Sequence, residues 1–162
     1  MALHGSVTVT RQLAATPSDV FAAFADPERR QRWFQMPGRT LYELDFRVGG
    51  GEVSRGTFAA MDTPEQIEVA SRFLDIVPDE RIVFSYELVL DGRRRTVSLV
   101  TVELAPVDGG TAISYTEQYA LLVLTGDGSR DRAHIEGGLR LLLNGLMTVL
   151  APATAPSTVP RR

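Results

Sequence analysis

Residues 130–150 read RDRAHIEGGLRLLLNGLMTVL, and this stretch decides the architecture. Ile135, Leu139, Leu142, Leu146 and Val149 recur at three- and four-residue steps, the spacing that gathers side chains on one face of an α-helix. This helix is the last regular element, and the chain from Leu41 to Tyr119 ahead of it is punctuated like a run of strands. A long amphipathic helix that follows a strand run has one large apolar surface to cover, the inner face of the sheet. The expected fold is therefore α+β, with a strongly curved antiparallel sheet around the C-terminal helix and an interior pocket between them. Gly137, Gly138 and Gly145 interrupt the helix, each at a cost on the order of 1 kcal/mol relative to alanine. Two readings stay open: tolerated weakness, or small residues that admit a close neighbour or leave a cavity.

Upstream of the helix, Gly49-Gly50-Gly51 separates a strand over Leu41–Arg47 from one over Glu52–Met61. Asp62-Thr63-Pro64-Glu65 separates that from Gln66–Ile76, and Pro78-Asp79-Glu80 precedes Arg81–Leu90. Asp91-Gly92 makes a hairpin into Arg93–Leu104, and Asp108-Gly109-Gly110 leads into Thr111–Tyr119. Asp-Gly and Gly-Gly pairs tolerate the positive backbone dihedrals of the turns that join twisted antiparallel strands. Val7–Leu13 alternates with period two and adds a first strand, for seven in all. Between strands one and two stand two short helices. Thr16-Pro17-Ser18-Asp19 places a capping hydroxyl, a proline at the first helical position and a carboxylate at the third, predicting a helix over Pro17–Ala25 that buries Val20, Phe21 and Phe24. Asp26-Pro27-Glu28 repeats the signal and starts a second helix that ends on Trp33 and Phe34. Residues 1–150 form one domain, and 151–162, with Pro152, Pro156 and Pro160, form a tail that cannot continue the helix.

Composition excludes several functions. A formal charge of -3 over 162 residues supplies no excess positive field for nucleic acid. Every basic side chain except the two histidines is arginine, so neither Schiff-base chemistry nor a phosphate-loop lysine is available. With no cysteine there are no disulfides, thiol nucleophiles or cysteine-rich zinc sites. No run approaches the ~18 apolar residues needed to span a bilayer, and the N-terminus lacks a signal-peptide pattern, so a cytoplasmic location is expected. His4, in a terminus expected to fray, and His134 have no metal-binding spacing, and neither metal nor cofactor is expected. The three consecutive glycines do not make a nucleotide loop, because the GxGxxG spacing is absent and a strand follows where a helix should start. Arg93-Arg94-Arg95 at a hairpin tip reads as a solvated edge that discourages strand pairing.

Glu117 stands apart. It alternates with Ile113, Tyr115 and Tyr119, so if the large residues point inward it is a carboxyl among aromatics, its charged form penalised by desolvation. The opposite parity would put it in water.

Taken together, several segments resemble one family: Phe24-Ala25-Asp26-Pro27-Glu28 with Trp33, Leu44-Asp45-Phe46-Arg47-Val48-Gly49-Gly50, Asp75-Ile76-Val77-Pro78-Asp79-Glu80-Arg81-Ile82-Val83, Gly110-Thr111 and Thr116-Glu117-Gln118. Over about residues 7–150 the chain resembles the bacterial proteins grouped with the C-terminal domain of the activator of Hsp90 ATPase, in the START-like (SRPBCC) superfamily. The resemblance implies the helix-grip fold, with a deep hydrophobic cavity. Relatives include lipid and hormone binders, polyketide cyclases and aromatases, and the Hsp90 co-chaperone domain. The fold alone does not choose among them.

The leading expectation is a carrier or sensor of a small hydrophobic molecule held between the sheet and the Arg130–Leu150 helix. Trp33, Phe34, Phe73, Phe84, Tyr86, Tyr115, Tyr119, Leu139 and Leu142 are the candidate walls, with Glu117 and His134 as polar handles. The rivals are a cyclase- or hydrolase-like enzyme using Glu117 as general acid or base, and a protein-interaction module of the Hsp90-activator type, with a homodimer left open. A cluster of polar groups converging on one point is the feature that separates them.

Overall fold

Capping chemistry sets the first elements. Thr16 Oγ1 accepts from the Asp19 backbone N–H at 3.2 Å and donates to the Asp19 carboxylate at 2.8 Å, starting α1 (Pro17–Ala25). Asp26 caps α2 (Pro27–Trp33) by accepting from the Arg29 N–H at 2.8 Å. These caps are worth about 1 kcal/mol each. The structure, a computed structural model, describes residues 1–60 and 63–151. Besides α1 and α2 it contains β1 (Leu3–Leu13), β2 (Arg39–Leu44), β3 (Gly51–Ala60), β4 (Thr63–Val77), β5 (Arg81–Leu90), β6 (Arg93–Val107), β7 (Gly110–Leu121) and α3 (Ser129–Leu150).

The seven strands form one curved antiparallel sheet in the order β1-β7-β6-β5-β4-β3-β2. From β2 to β7 it is a meander, and β1 closes it against β7. Asp91 and Gly92 both take positive φ in the two-residue turn between β5 and β6, the geometry their identities favour. Inner-face alternation is clean on β6, where Thr96, Ser98, Val100, Val102 and Leu104 are buried. On β7 the buried set is Thr111, Ile113, Tyr115, Glu117, Tyr119 and Leu121. The core runs through an edge-to-face chain of rings, Phe21–Phe46–Phe73–Phe84–Tyr115, with centroids 4.9 to 6.5 Å apart. Phe21 itself is half-buried, and Ala23 takes the buried place beside Val20 and Phe24.

α3 lies against α2, β1 and α1. Its deepest residues are Leu139, Leu143 and Leu146, whereas Ile135, Leu142 and Val149 are half-buried. The buried stripe is thus turned by one position from the one read in the sequence. The reason is the second layer: Leu142, packed at the edge of the core, lines the groove beside Trp33 and Phe34 at the end of α2. β1 also begins earlier than expected. His4 is not frayed but pairs opposite Ala120, its side chain exposed. β2 runs over Arg39–Leu44 and not Leu41–Arg47, because Asp45 leaves the strand to accept and donate in the turn before Gly51. The expected end of β3 at Met61 and the tail residues 152–162 lie outside the described residues.

Candidate functional site

Two carboxylates are buried on the inner face, and they are built differently. Glu52 on β3 is 4% exposed and receives a two-pronged ion pair from Arg30 of α2, itself 5% exposed, through Nε and Nη2, both at 2.8 Å. The Tyr42 hydroxyl donates to the same carboxylate at 2.7 Å. The α2 start signal explains the site locally, because it puts Arg30, Trp33 and Phe34 three and four residues apart on one helix face. The guanidinium lies 4.2 Å from the Trp33 ring centre and 4.4 Å from that of Phe34. Burial works against the charge on Arg30, and the Glu52 carboxylate more than offsets it, holding the pKa above the ordinary arginine value. Arg39 stands beside this pair, donating to Ser54 Oγ at 3.0 Å and to the Phe34 carbonyl.

Glu117 on β7 is 3% exposed and points inward with Tyr115 and Tyr119. Tyr86 of β5 donates to its Oε1 at 2.5 Å and Ser98 of β6 donates to the same oxygen at 2.7 Å. The sheet register explains the meeting, since Ser98 sits directly between Tyr86 and Tyr119 in the pairing of β5, β6 and β7. Oε2 accepts from no described residue. Arg30 Nη1 is the one fully sealed side-chain polar atom without a partner among the described residues, so Oε2 retains access to solvent. Burial raises the Glu117 pKa, and the hydrogen bonds from Tyr86 and Ser98 oppose it; among the described residues no guanidinium bears on it. Tyr86 and Tyr115 are held well above the usual tyrosine range, first by burial and then by the neighbouring carboxylate.

The wall residues named from sequence divide into three groups. Phe73, Phe84, Tyr86, Tyr115, Glu117 and Tyr119 share the inner face of β4, β5 and β7, and Leu139 covers the core from α3. Trp33, Phe34 and Leu142 instead line an open groove of about 520 Å³ between the end of α2 and α3, with Leu141, 71% exposed, on its rim. His134 is exposed, and nothing brings it to the other candidates. Arg30, Glu52, Tyr42 and Ser98 were not singled out from sequence. For Arg30 the i, i+3, i+4 spacing to Trp33 and Phe34 was a usable signal; for Ser98 only strand register reveals its neighbours.

The two halves of α3 also differ. Ser129–Glu136 carries no buried side chain, while Leu139, Leu143 and Leu146 anchor the rest. Gly137 and Gly138 fall at the junction, and an added Cβ at either would meet nothing within 4 Å. At Gly145 it would come within 3.3 Å of the Trp33 carbonyl oxygen. Of the two readings of these glycines, close approach therefore fits Gly145 and open space fits the pair. Gly138 and Gly145 both line the groove.

A curved seven-stranded antiparallel sheet gripping a C-terminal helix, with two short helices between the first two strands, is the START-like helix-grip class of protein. Within it, the chain belongs to the family of Activator of Hsp90 ATPase homolog 1-like proteins, which matches residues 14–151. A protein of Rhizobium loti is similar at 39% identity and TM-score 0.81, over 93% of this chain and 99% of its own. A protein of Rhizobium leguminosarum is similar at 34% identity and TM-score 0.81, over 93% and 96%. One from Chromobacterium violaceum follows at 25% identity and TM-score 0.65, over 91% and 99%. No curated protein matches the chain. Members of the family bind hydrophobic ligands or mediate protein interactions. No helix among the described residues is long and apolar enough to cross a membrane.

Proposed function

We propose that the protein binds a small, largely apolar molecule between the inner face of β4–β7 and the first half of α3, with Glu117 as its polar anchor. The observation that carries this reading is the build of Glu117. A buried carboxyl without a cation costs stability, and two hydroxyls orient one of its oxygens while the other has no partner among the described residues. Folding gains nothing from such a group, whereas a bound molecule can use it. The surrounding rings of Phe73, Phe84, Tyr86 and Tyr115 supply apolar wall. Entry is by displacement of Ser129–Glu136, which no buried side chain holds and which has Gly126 and Gly128 at one end and Gly137–Gly138 at the other.

A second reading has its own support. A carboxyl whose burial favours the protonated form, with Tyr86 and Ser98 holding one oxygen, is also equipped to exchange a proton with a bound molecule as a general acid or base. Binding comes first in either case. The test is titration of the native protein with the neutral dye Nile red, followed by displacement with decanol. Saturable binding that is weakened by Tyr86→Ala and unaffected by Leu141→Glu in the α2–α3 groove supports the inner-face location. Dye binding only in partly denaturing conditions, or loss on Leu141→Glu alone, overturns it.

A further inference from the structure

We infer that the molecule bound at this inner face carries an organic ammonium group, a primary or methylated amine on an apolar body, seated against Glu117 Oε2 inside a frame of aromatic rings. The inference rests on the proposed inner-face site and adds the charge and chemistry of the ligand's head. Four observations lead to it. First, the Glu117 carboxyl is an inward-facing acidic group whose charge no arginine among the described residues answers. The guanidinium of Arg30 is committed to Glu52 through two hydrogen bonds, and Arg39 is held by Ser54 and the Phe34 carbonyl.

Second, both donors that reach Glu117 converge on Oε1, so the vacant acceptor capacity is concentrated on Oε2. A group with N–H donors or diffuse positive charge complements it; a ligand carboxylate would meet like charge in a desolvated place. Third, the residues around Glu117 are aromatic. Tyr115 and Tyr119 flank it at two-residue steps on the same face of β7, Tyr86 touches it from β5, and the Phe84 ring stands 6.5 Å from those of both Tyr86 and Tyr115. Aromatic faces attract ammonium groups through their quadrupole, and rings arranged about a cation are the common means of recognising methylated amines. Fourth, Tyr86 and Tyr115 keep their protons, as burial and the nearby carboxylate both oppose ionisation, so their rings present neutral π-faces.

Together these distinguish the Glu117 end from the Arg30 end. A cluster already neutralised by its own ion pair has no call for a charged ligand, whereas an aromatic frame with a single unanswered carboxylate does. The proton balance follows: burial makes the empty carboxyl hold a proton more readily than a solvated one, an arriving ammonium favours the charged carboxylate, and any proton released on binding goes to solvent.

The experiment holds the body of the probe constant and varies its head. Decylamine, decyltrimethylammonium, decanol and decanoate, each below its aggregation limit, are titrated into the native protein by calorimetry near neutral pH. The two cations are expected to bind roughly tenfold or more tighter than decanol, with decanoate weakest, a preference of about 1.4 kcal/mol. Glu117→Gln should collapse the ratio of cation to alcohol affinities toward one. Tyr86→Leu, which removes a ring face and leaves the carboxyl, should lower it selectively for decyltrimethylammonium. Decanol or decanoate binding as tightly as the cations overturns the ammonium inference and leaves the inner-face site standing. Failure of all four probes, with Nile red also unbound, overturns that site itself. A ratio that survives Glu117→Gln in a folded variant places the cation elsewhere and overturns the inference as well.

Discussion

Glu52 and Glu117 are buried to almost the same depth, 4% and 3% exposed, on two separate strands, β3 and β7, of one inner face. Glu52 is matched by Arg30 in a bidentate pair stacked on Trp33 and Phe34, and the Tyr42 hydroxyl takes up further acceptor capacity. Glu117 is met by two neutral hydroxyls on one oxygen. Depth alone therefore says little about what a buried charge is for. A carboxylate answered by its own protein belongs to the scaffold, and one left unanswered is available to something else. The flanking glycines repeat the contrast, since Gly145 is pressed against α2 at the answered end while Gly137 stands in open space.

The largest test of the contrast is to break the answered pair. Arg30→Met leaves Glu52 buried without its cation, and is expected to cost about 3–5 kcal/mol in urea unfolding. A loss below about 1 kcal/mol would mean that the Arg30–Glu52 pair is as dispensable as the Glu117 environment, and the contrast would fail.

Glu117→Gln should act in the opposite direction. Its folded-state pKa is raised by burial, so the folded protein binds the proton more tightly than the unfolded chain. The residue is thus harmless below its unfolded pKa of about 4.3 and costs stability as pH rises from there through the folded value. The amide variant should be the more stable near neutrality, within the ~0.5–2 kcal/mol that single stabilising substitutions commonly give. The advantage should vanish in acid. Tyr86, Tyr115 and Tyr119 share its face, as does Glu52 with its Arg30 partner, and Tyr86 and Tyr115 stay protonated across this window. Melting temperatures of both proteins across the acid-to-neutral range check the sign. A variant less stable than the parent near neutrality would put Glu117 in the scaffold with Glu52.

The smallest effects belong to the glycines. Gly137→Ala should raise stability by about 0.5–1 kcal/mol through helix propensity, with no steric cost. It should also slow the entry of Nile red, read by stopped-flow fluorescence. Gly145→Ala gains the same propensity but must move the Trp33 backbone, and is expected to be neutral or destabilising. Equal gains at both positions would erase the difference between the two halves of α3.

The order of elements, both short helices and all seven strands were legible in the sequence, because caps, two-residue turns and period-two alternation are local signals. The inward parity of Glu117 was legible only as one of two choices, and burial of the large residues beside it decides the matter. Leu143 was missed since three consecutive leucines offer the helix more than one apolar stripe, and the position of α2 chooses between them. Ser98 and Glu52 could not be placed beforehand. Their neighbours come from strand registers set across the whole sheet, and polar residues on an inner face run against the pattern by which inner faces are recognised.

Pairing of β1 with β7 has a kinetic consequence. Val7 lies opposite Glu117 and Thr8 is bonded to Thr116 through side-chain hydroxyls 2.9 Å apart, contacts between residues more than a hundred positions apart. The meander from β2 to β7 can zip through neighbouring hairpins, but this last ladder requires closing a loop nearly as long as the domain. Until it closes, β7 is a bare strand edge carrying Glu117, open to pairing with any other extended chain. Folding should therefore be slow for a domain of this size, and early intermediates should be most vulnerable to aggregation at β7.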